Sequence, residues 1–411
     1  MNVTPQPVRA SRRRTPGAPR AARPRRAMQA PTTGVLPFRL PCRPPKLDLT
    51  FTIDKTSSMH QYLEVMKKHS WRIAERLDCE GIDARFGLVV YQDYKQEDDD
   101  GLNVSKRWPF TRIFDEFHSQ LKSIQAEGGG DGCEAVEAGL GATLEMDWRA
   151  DATKVCVLIG DAPPHGLGEC DDNFQDGAGI DPFVVVDEMA KEGITIFAVG
   201  CDELDAAFEF GSDFWVAIAE KTGGRSVALP VAAPLCDVIL GSALQEVEET
   251  ELMEAMSECI RNLRIERPGL NDQSEVEVAY QSMHASAIQV RRLEAQELPA
   301  TEESARLVEA QTLGEAREAL GVDEKSPPRD TLSRVPWVPR SPEEREMAVN
   351  EALSEPAPDA EAPAPTAAGT PRDPGQLGVV KVSLKEEPVS IDVFRRIYEK
   401  GRARGAFAMD P

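Results

Sequence analysis

Short apolar runs alternate with helical periodicities between Leu47 and about Arg264. The runs are rich in β-branched and aromatic residues, which favour strands. They are Leu47–Ile53, Ile82–Tyr91, Lys154–Ile159, Ile194–Val199 and Ser226–Leu229. Strands that are apolar along their whole length are typical of a parallel sheet covered on both faces. The pattern therefore predicts an α/β fold with a doubly wound, mostly parallel sheet flanked by helices.

The segments between these runs carry apolar residues at helical spacing. The predicted helices cover 58–78, 114–127, 132–146, 183–192, 203–222 and 235–264. One further short strand near Lys106–Ile113 is expected to pair antiparallel at an edge of the sheet. The alternation of strands and helices of this length predicts one α/β domain over residues 47–264.

The pattern weakens after Arg264, and residues 265–340 are predicted to be a mainly helical extension. Glu275–Leu293 fits a helix, or a pair of strands because of its Val and Tyr content. Glu303–Leu320 is rich in Ala, Glu, Arg and Leu and is predicted to form one helix. We expect this C-terminal region to be largely irregular.

Residues 341–376 contain a Pro- and Ala-rich segment that has no means of packing, and we predict a linker there. A small strand–helix unit is predicted to follow over residues 377–411. Its strand would include the alternating run Val379–Leu384, and its helix would cover Ile391–Ala403. The aromatic content of this unit indicates that it docks on another surface.

Residues 1–46 form an Arg- and Pro-rich basic arm with no acidic residue, and we predict that the arm is disordered because it has almost no large apolar side chains. A plain solvated tail is the first interpretation. The clusters Arg12–Arg14 and Arg23–Arg26 also fit a nuclear signal. An organellar transit peptide is the weaker alternative, since ten prolines would interrupt an amphipathic helix. We expect a cytoplasmic protein.

The net charge of -23 is distributed unevenly along the chain. Residues 1–47 carry about +11, so the remaining chain carries about -34. An acidic body of this kind does not favour nucleic acid. No apolar run approaches the ~18 residues that a membrane span needs. The eight cysteines are scattered without a CxxC pair, which is typical of a reducing compartment.

Three oxygen-rich loops lie beside predicted strand or helix ends. The first is Asp54-x-Thr56-x-Ser58, the second is the glycine-rich Gly128–Gly132, and the third contains Asp161 and His165. Loops at the carboxyl ends of neighbouring parallel strands meet at one edge of the sheet. Carboxylates and hydroxyls without a nearby Cys or paired His suit Mg²⁺, Mn²⁺ or Ca²⁺. The sequence therefore predicts a divalent-cation site, with Mg²⁺ as the first choice.

Each of these residues also has a purely structural interpretation. Asp54 fits a helix N-cap, and Asp161 fits an ordinary turn residue. The glycines fit a tight turn in which Asp131 caps the following helix. His165 alone in a loop is more often neither a ligand nor an acid–base group. The sequence leaves these interpretations open.

The three loops together resemble the metal-ion-dependent adhesion site (MIDAS) of the von Willebrand factor A domain, a Rossmann-like fold. The segments that carry the resemblance are IDKTSSM, GGGDGCEAV and IGDAPPHG, in the family's order. The sequences of these segments are most similar to the corresponding segments of A domains found beside alpha-type (atypical) serine/threonine protein kinases. The resemblance covers about 47–264.

The resemblance implies that Asp54, Thr56, Ser58 and Asp161 are metal ligands. The family's second-loop threonine aligns with Asp131, so a fifth ligand would here be a carboxylate. Ser57, Gly130 and His165 are candidates for contacts around the ion or with its ligand. In the family, an Asp or Glu of a protein partner completes the coordination of the metal.

The chain is therefore expected to be an interaction module and not an enzyme. Residues 265–411 contain no GxGxxG or GxxxxGK[ST] loop of the kind that cradles nucleotide phosphates. No GxSxG or HExxH pattern occurs in the chain either. The alternative function is a regulatory portion, or a truncated form, of an alpha-type kinase.

Overall fold

The computed structural model describes residues 38–94, 104–170, 172–201, 204–322 and 382–407. The predicted linker 341–376 and most of the arm 1–46 lie outside these described residues. Within them, no helix is both long and apolar enough to cross a membrane. All eight cysteines are free thiols.

Six strands form the central sheet. They are β1 Lys46–Asp54, β2 Asp83–Tyr91, β3 Ser105–Thr111, β4 Thr153–Gly160, β5 Ile194–Cys201 and β6 Arg225–Leu229. Their order is β3-β2-β1-β4-β5-β6. Only β3 is antiparallel, and it pairs with β2 at one edge. This confirms the predicted doubly wound, mostly parallel sheet and its antiparallel edge strand.

Eight helices connect these strands or follow them within the described residues. They are α1 His60–His69, α2 Trp71–Cys79, α3 Phe114–Ser123, α4 Val136–Leu144, α5 Pro182–Lys191, α6 Leu204–Ala207, α7 Gly211–Lys221 and α8 Leu235–Glu266. The helix predicted for 58–78 is divided at Ser70 and is preceded by a 3-10 turn at Ser57–Met59. The helix predicted from residue 132 begins only at Val136, so the glycine-rich loop is longer than expected.

The helices cover both faces of the sheet with separate apolar clusters. Helices α1, α2, α3 and α8 pack on one face, where Phe51 of β1 contacts Phe117 of α3 with ring centroids 4.9 Å apart. Helices α4, α5 and α7 pack on the other face. On that face the buried Thr52 hydroxyl lies 2.6 Å from the Thr143 hydroxyl of α4. Alternate residues of β1 thus face opposite layers, as the pleat requires.

Six further elements follow α8 among the described residues. They are α9 Asp272–Ala285, β7 Gln289–Glu294, α10 Glu302–Glu309, α11 Leu313–Leu320, β8 Ser383–Pro388 and α12 Ile391–Ala403. Strands β7 and β8 pair antiparallel in a separate two-stranded sheet. The single helix predicted for 303–320 was wrong. Ala310 is extended there, and the Thr312 side chain caps α11 by accepting from Glu315 N at 3.2 Å.

The C-terminal elements pack on the second half of α8. Phe394 and Ile397 of α12 are fully buried in an apolar cluster that also holds Met256 of α8 and Ala279 of α9. Phe38, near the end of the predicted arm, is buried in the same cluster. The C-terminal segment, which was predicted to dock on another surface, therefore docks on α8.

Gly139 of α4 provides the space in which the Tyr91 ring is buried. A Cβ added to Gly139 would lie 2.5 Å from Cδ1 of Tyr91, and Tyr91 is fully buried at the end of β2. We expect Gly139→Ala to lower the free energy of unfolding by about 1–3 kcal/mol, because a packed core does not absorb an extra methyl without strain. Urea unfolding measures this change.

The matched control is Gly314→Ala in α11, where the nearest atom to an added Cβ is 3.9 Å away. That substitution should be neutral or stabilising by up to about 1 kcal/mol, since alanine favours a helix more than glycine does. Equal free energies for the two variants would contradict the tight packing of Tyr91 on α4.

The amino end of the sheet contains a buried acid whose negative charge is neutralised by two arginines. Asp48 of β1 has no exposure, and it accepts from Arg85 Nη2 at 2.7 Å and from Arg149 Nε at 2.8 Å. Two guanidinium groups thus neutralise one carboxylate. The carboxyl end of the same sheet is arranged differently.

Candidate metal centre

The three predicted loops meet beyond the carboxyl ends of β1 and β4, where backbone bonds fasten them together. Both the amide and the hydroxyl of Ser57 donate to Gly128 O, at 3.4 and 3.0 Å, which joins the first loop to the second. The Glu134 amide donates to Pro163 O at 3.1 Å, which joins the second loop to the third. The Glu127 amide donates to Lys55 O at 2.8 Å. The loops therefore form one rigid surface.

Asp54, Thr56 and Ser58 lie together in the first loop, as predicted. The amide and the hydroxyl of Thr56 both donate to Asp54 Oδ1 at 2.7 Å. The Thr56 and Ser58 hydroxyl oxygens are 3.3 Å apart. Asp54 is completely buried and Ser58 is exposed, so the carboxylate lies beneath two hydroxyls.

Asp161 lies beside Asp54 and destabilises its charge. Burial, and then the negative charge of Asp161, raise the pKa of Asp54 to about 7. Asp54 Oδ2 is buried without a donor of its own among the described residues, and Asp54 and Asp161 can share a hydrogen bond only when one of the two acids is protonated. An unsatisfied carboxylate oxygen in a buried site is costly. A bound cation would satisfy it.

Glu134 is a third acid at this position, and it was not predicted. Its Oε1 lies 3.5 Å from the point where a Cβ on Gly129 would sit, and Thr56 Cβ lies 3.9 Å from the same point. Glu134 Oε2 is buried without a partner among the described residues. Burial, and then Asp54, raise the pKa of Glu134 to about 10. The late start of α4 is what leaves Glu134 in the loop, facing the centre.

Asp131 has different neighbours. Its Oδ1 accepts from Cys133 N at 3.2 Å, and its Oδ2 accepts from Asn173 N at 2.6 Å. Carboxylate oxygens of Asp131 and Asp93 and a ring nitrogen of His165 lie within 4.8 Å of one another. The structure thus groups Asp131 with Asp93 and His165, and its role as a ligand beside Asp54 stays a prediction.

His165 is buried between two acids. Its Nδ1 lies 2.8 Å from Asp172 Oδ1, and its Nε2 lies 3.1 Å from Asp93 Oδ1. Burial lowers the pKa of His165, but the bonds to Asp172 and Asp93 outweigh it and raise the pKa to about 10. Gly130 lies directly over this group, because a Cβ added there would overlap Asp93 Oδ2.

The donor set around Asp54 fits a hard divalent cation. It consists of carboxylate and hydroxyl oxygens, which are the ligands that Mg²⁺, Mn²⁺ and Ca²⁺ prefer. The buried acids Asp54 and Glu134 have no Lys or Arg ion pair among the described residues, unlike Asp48 at the other end of the sheet. Asp54, Thr56, Ser58 and Asp161 are therefore positioned to hold an ion.

Comparisons with known proteins identify the family that part of the chain matches. Residues 48–211 match the family model of the von Willebrand factor type A domain. The chain is also similar to the alpha-protein kinase vwkA of Dictyostelium discoideum, with 35% identity over 122 residues, which are 29% of this chain and 19% of that protein. The chain thus spans about a fifth of the length of this relative.

Among solved structures, the pilus adhesin SpaC of Lactobacillus rhamnosus GG matches with 11% identity and a TM-score of 0.35. This match covers 52% of this chain and 31% of the adhesin. The family match, by contrast, spans the first five strands of the sheet and all three loops of the centre. Residues 48–211 of this chain are a von Willebrand factor type A domain.

Proposed function

We propose that Asp54, Thr56, Ser58 and Asp161 bind a divalent cation, through which the domain binds an Asp or Glu of a protein partner. Mg²⁺ is the first choice, with Mn²⁺ or Ca²⁺ as alternatives. The observation that carries the proposal is the buried, unpartnered Oδ2 of Asp54 beside Asp161. Von Willebrand factor type A domains mediate protein–protein interactions and often bind divalent cations at this place in the fold.

The chain's own groups prepare the centre for a cation. Thr56 holds one oxygen of Asp54 through two hydrogen bonds and leaves the other oxygen without a partner. Ser58 is exposed at the surface, where a partner can approach. When bound, the cation supplies the positive charge that attracts a partner's carboxylate.

We expect Glu134 to affect both the affinity for the cation and the affinity for the partner's carboxylate. A third carboxylate strengthens the attraction for a divalent cation, because it adds negative charge in a poorly solvated site. The same charge neutralises part of the ion and weakens its attraction for an incoming acid. We therefore infer tight metal binding and a comparatively weak, reversible grip on the partner.

Calorimetric titration of the full chain with MgCl₂ and with MnCl₂ tests the metal centre. Wild type should bind an ion that Asp54→Ala does not bind, because the substitution removes the buried carboxylate. The matched control is Asp151→Ala, which removes an exposed acid at the amino end of the sheet. If wild type and Asp54→Ala bind the metal equally, the proposed metal centre would be overturned.

A second experiment tests the partner's chemistry. An array of peptides with single Asp or Glu residues, each paired with its Asn or Gln version, is probed with the purified chain. We expect retention of acidic peptides that requires Mg²⁺, is reversed by a chelator and is lost in Asp54→Ala. Retention of acid and amide versions alike would contradict a metal-bridged carboxylate.

One observation favours a second candidate function. The relative from Dictyostelium discoideum is an alpha-protein kinase, and this chain matches part of it. The domain would then be a regulatory portion of such a kinase. If this chain itself carried the kinase activity, it would show metal-dependent ATP hydrolysis or autophosphorylation when purified. A clean negative result leaves the non-catalytic, cytoplasmic interaction module as the proposal.

A further inference from the structure

Asp93, Asp131 and His165 form a second cluster of metal-ligating groups beside the Asp54 centre. Asp93 follows the end of β2, Asp131 lies in the glycine-rich loop and His165 follows β4. Their ligand atoms all lie within 4.8 Å of one another. Two of these side chains, Asp93 and His165, are more than nine-tenths buried. Three separate segments of the chain therefore converge on one point.

The histidine is oriented as a ligand histidine usually is. A metal-binding imidazole commonly donates its other ring N–H to a carboxylate, which fixes the tautomer and the ring. Here His165 Nδ1 lies 2.8 Å from Asp172 Oδ1, and His165 Nε2 faces Asp93. Asp172 is fixed in turn by the amides of Gly166 and Phe174, at 2.6 and 2.8 Å. This arrangement presents Nε2 to the two remaining carboxylates.

Acidic side chains outnumber their cationic partners around this cluster in the described part of the chain. Asp131, Glu134, Glu137 and Glu169 have no ion pair with Lys or Arg in the described part of the chain. Glu137 is 1% exposed, and a hydrogen bond from the Tyr94 side chain contributes to its environment but supplies no positive charge. Its strongest electrostatic neighbour is His165, so it faces the cluster.

A proton on His165 alone would neutralise only part of this charge. The imidazolium can bridge Asp172 and Asp93, but it is then one cation among the two acids that it touches and the four acids around them. Buried acids in such numbers require either protonation or a further cation. A divalent ion that replaces the Nε2 proton adds one more unit of positive charge at the same point.

We infer that Asp93, Asp131 and His165 bind a second divalent cation, of the first-row transition-metal class. The class follows from the donors, because an imidazole nitrogen beside two carboxylates suits Mn²⁺ or Zn²⁺ better than Mg²⁺ or Ca²⁺. Cys133 belongs to a different group, with His165 and Asp172, and an oxygen of Asp172 already lies 2.8 Å from His165 Nδ1. This second site does not depend on the Asp54 centre.

The test uses the full chain and Mn²⁺ alone. Equilibrium dialysis gives the number of ions bound, and electron spin-echo spectroscopy detects ¹⁴N coupling when an imidazole binds Mn²⁺. We expect two ions in wild type, with nitrogen coupling. Asp54→Ala should keep one ion together with the coupling, whereas His165→Gln should keep one ion and lose the coupling.

Two further variants are controls. One shows whether His165→Gln lost the ion only because it failed to fold, and the other shows whether removing any histidine changes the result. Asp131→Asn is milder than His165→Gln because Asp131 is only half-buried, and it should also remove one ion. His284→Gln on α9 removes an exposed histidine and should change neither the stoichiometry nor the coupling. If wild type binds only one ion, without nitrogen coupling, and Asp54→Ala loses that ion, the second site would be overturned. Unchanged stoichiometry in Asp54→Ala would instead overturn the first.

Discussion

Asp54→Asn is expected to abolish stabilisation by Mg²⁺ and, at the same time, to make the metal-free protein more stable above pH 7. Asp54 is completely buried beside Asp161 and Glu134, so its charge is unfavourable when no cation is present. Asparagine keeps the oxygen that accepts from Thr56 and removes the charge. The gain in unfolding free energy should be on the order of a few kcal/mol, as expected for a buried acid with a strongly raised pKa.

Thermal unfolding with EDTA and with MgCl₂ measures both effects. Wild type should gain stability with Mg²⁺, and Asp54→Asn should show no gain. The control is Asp83→Asn at the amino end of the sheet, where a hydrogen bond from Arg112 lowers the pKa of Asp83. That variant should lose stability slightly and keep the Mg²⁺ response. A metal-free Asp54→Asn protein less stable than wild type would contradict the repulsion between the acids.

The same carboxyl predicts the pH dependence of the metal-free protein. Its pKa is 3.8 in an ordinary setting and about 7 in the folded chain. Between these values the folded state binds more protons at Asp54 than the unfolded state does, so Asp54 makes stability fall as pH rises from about 4 to about 7. Because a cation must displace that proton, Mg²⁺ affinity should rise over the same range. Unfolding scans of wild type and Asp54→Asn isolate this contribution.

Lys400→Ala is expected to lower the free energy of unfolding by about 3 kcal/mol or more, because it removes the buried ammonium group that pairs with two buried acids. Lys400 of α12 donates to Glu246 Oε2 of α8 at 2.6 Å and to Gly223 O at 3.0 Å. Glu249 lies 3.5 Å from the same ammonium group. All three charged side chains are more than nine-tenths buried.

The control for this prediction lies on the same helix. Arg402 pairs with Asp272, but both side chains are well exposed, at 66% and 60%. Arg402→Ala should therefore cost less than about 1 kcal/mol. The double variant Lys400→Met/Glu246→Gln should recover part of the loss, since it removes the charge that Lys400→Ala leaves buried. Equal losses in Lys400→Ala and Arg402→Ala, measured by urea unfolding, would contradict the docking of α12 through this network.

The strands were predictable because both of their faces are buried. Val155–Ile159 of β4 is apolar at every position and touches helices on either side, so the sequence pattern there has one structural solution. Helix interiors were predictable for the same reason. Helix ends were not, since they depend on local capping. The extended Ala310 and the cap at Thr312 divide a segment whose composition is helical throughout.

The site residues that lie at the ends of strands were predictable, because the sheet determines where those strands end. Asp54 ends β1 and Asp161 directly follows β4, and because β1 and β4 are neighbouring parallel strands, the two residues lie close together. The glycine-rich loop was different, because its path depends on where α4 begins. The helix α4 begins at Val136, so Glu134 lies in the loop, and the Asp131 carboxylate is grouped with Asp93 and His165. Periodicity does not indicate such a shift.

The pairing of β7 with β8 has a consequence for how this chain tolerates change in length. The ladder joins Glu294 to Ser383, and the helices α10 and α11 are folded between them, so the segment whose length the ladder leaves open runs from Leu320 to Ser383, about 60 residues. The entropy of closing a flexible loop grows only with the logarithm of its length, so doubling the loop would cost about 0.6 kcal/mol. The ion network and the apolar cluster on α8 exceed that amount several times over. Insertions of tens of residues between α11 and β8 should therefore leave α12 in place.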